Sequence, residues 1–205
     1  MPKLKFTKGE LKRQRDALKQ YQRYLPTLQL KKQQLQLEIL SQLAVLDDRR
    51  RVLSSKVAAA GIWSGLLSEP DVDLKPWITP QEVACAAKNI AGVDLPVFGQ
   101  VKFLPEEYDL FATPLWIDAA IPALRVIASL GEEIKIIEKG IEILRQELRI
   151  TTQRVNLFEK VKIPEAEENI RRIKIYIGDQ MANAVGRSKI AKKKIEAAVL
   201  EEVLV

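Results

Sequence analysis

Acidic side chains come closest to a reactive cluster: Glu165, Glu167 and Glu168 are near neighbours, and Glu106 precedes Glu107. Paired carboxylates can hold a divalent cation or divide acid and base roles. The same spacing is also the ordinary composition of a solvated helix face, and that is the reading expected here. The chain contains no histidine, which removes the commonest general base and the commonest zinc ligand. Cys85 is the only cysteine, so an intramolecular disulfide and a thiolate cage are both ruled out. Its alanine-rich surroundings suggest a small packing residue rather than a nucleophile. Ser64 and Ser188 have no evident activating base. Neither a G-x-x-x-x-G-K-[ST] loop nor a G-x-G-x-x-G turn occurs. No catalytic residue, cofactor or metal ligand is therefore assigned, and the expectation is a protein that is not an enzyme.

Cationic side chains are a better candidate for function. The formal charge is +6, with Lys3, Lys5, Lys8, Lys12, Arg13, Arg15, Lys19 and Arg23 near one terminus. Arg187, Lys189, Lys192, Lys193 and Lys194 lie near the other. Such charge suits an acidic protein sleeve, a nucleic acid or an anionic lipid surface. Phe6, Tyr21 and Tyr24 are the only aromatics near these clusters, too few to stack on bases, so specific nucleic-acid recognition is not expected. Arg49, Arg50 and Arg51 read as a solvated face.

The elements that would position these charges are two long amphipathic helices. Thr7 and Glu10 have the spacing of a capping box. Behind them Leu11, Leu18, Leu25, Ile39, Leu46 and Leu53 recur mostly at sevens, with Tyr21, Leu28 and Leu35 between. Seven-residue spacing keeps a narrow apolar stripe aligned along a helix, the seam of a coiled coil. Pro26 interrupts the backbone ladder, which predicts a kink or two helices end to end over residues 8–58. The second pattern begins after Pro114. Ile127, Ile134, Ile141, Leu148 and Val155 hold one heptad position; Leu130, Ile137, Leu144 and Phe158 hold the other, with Thr151 its weak member. Ile170, Ile173, Ile177 and Met181 continue the face after a local adjustment at Pro164, and the stretch from Ala197 to Val205 is ambiguous.

Two such helices in one chain pair as an antiparallel hairpin, and fifty residues of helix extend roughly 75 Å. In that arrangement the two basic clusters come to the same end. The middle of the chain breaks both periods at Gly61, Gly65, Pro70 and Pro76. Thr79, Pro80, Gln81 and Glu82 resemble a helix start, which predicts a short helix to about Lys88. Two short strands are expected over residues 90–98 and 100–104, turning at Gly99, with Pro96 confining one to an edge. The fold class is thus mainly α: a long antiparallel two-helix coiled coil with a small loop, short-helix and β-hairpin cap. Its divisions are an N-terminal helix over 1–58, a middle cap over 59–117 and a C-terminal helix over 118–205.

No stretch approaches 18 uninterrupted apolar residues, so no direct membrane span is expected. Lys3 and Lys5 sit where a signal peptide needs apolar residues, and the expected location is cytoplasmic.

Two stretches go beyond a generic coiled coil. Arg154-Val155-Asn156-Leu157-Phe158-Glu159-Lys160-Val161-Lys162-Ile163-Pro164 resembles a C-terminal motif of the D subunit of V-type (V/A-type) ATP synthases. Asn89-Ile90-Ala91-Gly92-Val93-Asp94-Leu95-Pro96 is similar to that family's mid-chain element, a short strand with a glycine turn. Leu11-Lys12 and Leu30-Lys31-Lys32 resemble its N-terminal helix. The resemblance implies a central-stalk rotor whose coiled coil enters a ring of catalytic A and B subunits. The F subunit would bind alongside, and the far end would rest on the component that couples the stalk to the membrane ring. Lys12, Arg13, Arg187, Lys189, Lys192 and Lys193 become candidate contacts with the A/B ring. The protein would be peripheral to the membrane within that complex. Pro26 and the Gly178 to Gly186 region depart from the family pattern. The competing reading is a basic coiled-coil adaptor or scaffold on nucleic acid or a membrane surface.

Overall fold

The computed structural model describes residues 4–68, 74–105 and 113–203, with side chains described to residue 197 except at 68. Lys3, Pro70, Glu106 and Glu107 lie outside the described residues. The elements, in chain order, are α1 (Lys8–Gly61), a 3-10 turn (Ser64–Ser68), α2 (Lys75–Ile78), β1 (Glu82–Ile90), β2 (Val93–Lys102), α3 (Ile117–Leu157), a π turn (Phe158–Lys162) and α4 (Ile163–Val203). They divide into two compact units, one of Met1–Gln29 with Thr152–Val205, the other of Leu30–Thr151.

α1 starts where the capping residues place it: the Glu10 amide donates to Thr7 Oγ1 at 3.2 Å. The Glu10 carboxylate instead accepts from Gln14 Nε2 at 2.9 Å, so only half of the capping box forms. Pro26 lies inside a helix that continues through it. It is exposed, and Thr27 Oγ1 beside it donates to the Tyr24 carbonyl at 2.8 Å.

In the Leu30–Thr151 unit, α1 and α3 run antiparallel. Lys31 meets Glu147 at 2.9 Å, Arg49 meets Glu133 at 2.9 Å and Arg50 meets Glu138 at 2.7 Å. Between these rims Leu46, Ile134 and Ile141 form one apolar cluster. Leu35, Ile39 and Leu144 form another, into which Val93 and Leu95 of β2 insert. Each such leucine or isoleucine withdrawn from water contributes about 1.5–3 kcal/mol. Leu74, Ile117 and Ile121 make a third cluster with Trp77, Ile78, Trp116 and Leu124 around it. Arg125 ties this region together. Its Nε donates to the Trp77 carbonyl at 2.9 Å, one Nη to the Leu104 carbonyl at 2.6 Å, and its guanidinium lies 5.3 Å from the Phe103 ring centroid.

In the other unit, α1 again faces its partner antiparallel. Phe6 lies against Tyr176 and Tyr21 against Phe158, with ring centroids 5.0 and 5.3 Å apart. Val155, Ala166, Ile170 and Ile173 are buried, while Leu11, Leu18 and Leu25 are half-buried.

The middle differs from the sequence expectation. Residues expected as a helix to Lys88 form β1, every one of which is paired with β2 from Glu82–Lys102 to Ile90–Val93. Alanine prefers helix, but here strand pairing and the seating of Val93 and Leu95 override that preference. The turn is at Ala91 and Gly92, not at Gly99. Their φ values of 52° and 77° are those of a two-residue primed hairpin turn. Asn89 closes it, its Nδ2 donating to Asp94 Oδ1 at 2.6 Å and its Oδ1 accepting from the Gly92 amide at 3.2 Å. Gly99 is instead the extra residue of a β-bulge, since Cys85 pairs with Phe98 and Ala84 with Gln100.

Candidate functional site

Most groups with reactive potential serve structure. Glu168 is held by Arg171 and Arg172, each at 2.9 Å, and those hydrogen bonds lower its pKa to about 2. Glu165 lies 3.2 Å from Lys162. Among the described residues no group of three or more His, Cys, Asp or Glu is placed to hold a metal ion. Ser64 Oγ donates to the Gly61 carbonyl at 2.9 Å, closing the end of α1. Ser188 is exposed on α4. Cys85, expected as a packing residue, is exposed on β1. Alternation along the strand does not bury it, because β1 and β2 form a two-stranded sheet whose inward contact is made by Val93 and Leu95 of β2 and, from β1, by Ile90 at its end. The arginine run is exposed throughout, as expected, and two of its members do more: Arg49 and Arg50 form the ion pairs to α3, while Arg51 lies 4.0 Å from Asp48.

Seam positions in the Leu30–Thr151 unit come together as described, with Leu35 and Leu144 fully buried. Ile127, Leu130, Ile137 and Leu148 are half-buried. Thr151, the weak heptad member, is buried.

The two family-motif stretches sit at the points where regular structure is interrupted. Gly92 occupies the positive-φ turn, and Pro96 pairs with Ala87 in β2. Arg154, Asn156, Glu159 and Pro164 are exposed, while Val155 is buried and Phe158 half-buried against Tyr21. That second stretch contains the whole π turn, in which the Ile163 amide bonds to the Phe158 carbonyl. A proline two residues after the turn is the sequence signal, since Pro164 has no amide to give to a regular ladder.

The cationic side chains form separate groups. Lys8, Lys12, Arg15 and Lys19 follow one another at four, three and four positions. With Leu11, Asp16 and Ile177 they line a groove of about 670 Å³. Arg13 is one residue from Lys12 and so points about 100° away. It lines a different groove with Gln14, Tyr21, Lys162 and Glu165. Arg187, Lys189, Lys192 and Lys193 are all exposed, within a stretch, residues 178–197, that is exposed throughout. Both groups belong to the same unit, and along α4 Arg187 and Lys192 follow Ile177 by 10 and 15 residues, roughly 15 and 22 Å.

Sequence reasoning missed an outward apolar stripe on α1. Leu30, Leu37 and Leu40 are 55%, 68% and 64% exposed. Leu37 and Leu40 line a groove of about 620 Å³ with Gln33, Gln36, Ile39 and Leu148. The seven-residue step from Leu30 to Leu37 was its signal, masked by the stronger buried stripe.

The sequence profile of the family described as the D subunit of ATP synthase matches residues 10–193. The chain is 44% identical over 198 residues to the V-type ATP synthase D subunit of Borreliella burgdorferi, covering 95% of this chain and 96% of that protein. It is 35% identical over 199 residues to the protein of that name in Chlamydia pneumoniae, covering 94% and 93% respectively. With the Chlamydia muridarum protein of that name it shares 31% over 201 residues, covering 94% and 96%.

Proposed function

Because the chain belongs to the family of ATP synthase D subunits, we propose that it is the central-stalk rotor shaft of a V/A-type ATP synthase. It transmits torque between the catalytic A/B ring and the membrane ring and carries out no catalysis itself. The observation that carries this reading is the match along nearly the whole length of both chains. Its partners are the A and B subunits, the F subunit and the component that couples the stalk to the membrane ring. It works on the cytoplasmic side, peripheral to the membrane. Its chain divides functionally at about residues 58 and 117 into an N-terminal helix, a middle cap and a C-terminal helix.

Torque coupling requires differential contact, not reactive groups. An asymmetric shaft touches each catalytic interface differently, and each orientation favours a different nucleotide-site conformation. Lys12, Arg13, Arg187, Lys189, Lys192 and Lys193 supply the contacts with the A/B ring. Their exposure supports that role, since none is committed to an ion pair with another helix among the described residues.

The test is purification of the tagged chain from its native cell. Recovery of A, B and F subunits in a complex with ATPase activity is expected, with lower coupled activity when Lys12, Arg13, Lys192 and Lys193 are changed to Glu. Recovery of nucleic acid without ATPase subunits would overturn the reading in favour of a basic scaffold.

A further inference from the structure

The seam of α3 advances alternately by three and four residues, through Ile141, Leu144, Leu148, Thr151, Val155 and Phe158. Burial follows it closely, with Ile141 at 3%, Leu144 at 0%, Thr151 at 1% and Val155 at 4% exposure. Continued without interruption, the alternation would reach Lys162, Glu165, Asn169, Arg172 and Tyr176. The buried residues of α4 are instead Ala166, Ile170 and Ile173, followed by half-buried Ile177, each one position later. One residue in excess of the heptad therefore lies between Val155 and Ala166.

The π turn at Phe158–Lys162 absorbs it. The Ile163 amide donates to a carbonyl five residues back rather than four. An unbroken α-helix would rotate α4 by about 100° and drive Glu165, Asn169 and Arg172 into the seam, at the cost of desolvating them. Burial on both sides thus fixes the number of extra residues. It leaves open where the extra residue sits once Phe158, held against Tyr21, has been passed. Asn156, Leu157, Glu159, Lys160 and Val161 are all exposed, and no buried side chain lies between Val155 and Ala166. Pro164 cannot donate to a four-residue ladder wherever the bulge lies. Across the seam, Pro26 follows Tyr21, the residue packed against Phe158, by five positions. Both helices of this unit therefore lack a ladder bond in the same neighbourhood.

We propose that the extra residue is a mobile helix defect confined between Phe158 and Ala166, a joint about which α4 turns on its own axis against α1. The defect is a property of the chain itself; its use as a compliant element in a rotating shaft rests on the function proposed above. Shifting the bulge within that interval leaves both flanking seams in phase, and Pro164 forgoes its ladder bond in every register.

Hydrogen exchange of the free full-length chain tests this independently of any partner. Amides over residues 159–165 are expected to exchange about tenfold or more faster than those over residues 143–148 of α3. Deleting Val161, which is exposed, removes the excess and makes the heptad continuous. That variant is expected to melt at or above the wild-type temperature, with exchange over the joint slowed to the level of α3. Deleting Arg149, equally a surface residue, introduces a phase error where none existed and is expected to lower the melting temperature. Equal protection over the two wild-type stretches would overturn the proposal, as would a Val161 deletion as damaging as the Arg149 deletion. Either result would leave the rotor reading standing, since neither measurement involves the ATPase.

Discussion

Gly99 shows how much one side chain decides. A Cβ there would lie 2.9 Å from the Ala84 carbonyl oxygen, a backbone atom with no freedom to retreat while the strands stay paired. Gly99→Ala is therefore expected to destabilise the hairpin by about 1–3 kcal/mol, read as a lower urea midpoint together with faster exchange of the β1 amides. Glu168 makes a pH-dependent case. Hydrogen bonds from Arg171, then Arg172, hold its carboxyl near 2, below the ordinary 4.5. A depressed carboxylate contributes stability that is fully present above its unfolded value and lost as the pH falls through its folded one. An NMR titration should accordingly place the Glu168 carboxyl near 2, and Arg171→Gln should move it back toward 4.5. Because the carboxylate is solvent-accessible and its arginine partners lie on the same helix, the effect on overall stability at neutral pH should be small. None of these local roles was legible in the sequence. Gly99 looked like a turn because glycine marks turns and bulges alike, and Glu168 was one carboxylate among several until its arginines were placed.

The long helices were legible because a heptad stripe repeats one physical demand many times, so a single anomaly such as Thr151 does not erase it. A hairpin in the middle was legible as well, but its first strand was not, because Ala84, Ala86 and Ala87 carry a helical preference that only pairing with β2 overrides. The π turn was visible only as a slip in the pattern near Pro164. Periodicity also cannot tell which of two stripes on one helix is covered. Leu35→Ala, at a fully buried position beside Leu144, is expected to cost about 2–5 kcal/mol. Leu37→Ala, two residues away and 68% exposed, is expected to change stability by no more than about 0.5 kcal/mol. Denaturant unfolding of the two variants checks both values. A large loss at Leu37 would mean that its face is covered in the free chain.

Across the whole molecule, the same physical device serves in each of the two units: an apolar seam with ion pairs or tilted aromatic pairs along it. No described helix is long and apolar enough to cross a membrane. The cationic side chains are spread along the surface rather than gathered in one cluster; Lys8, Lys12, Arg15 and Lys19 line one groove and Arg13 another. Where the described chain has no partner, its stability rests on local helix propensity alone, and a lone helix of that length is marginal in water. In residues 178–197 every side chain is exposed, and Arg187, Lys189, Lys192, Lys193 and Lys194 stand among them. Brief trypsin treatment of the free chain is therefore expected to cut first in this stretch, and the paired helices only much later. Burial of the same residues in an assembly would hide those cleavage sites. A copy left without partners would then carry its own degradation signal, and its lifetime in the cell would report whether it had been assembled.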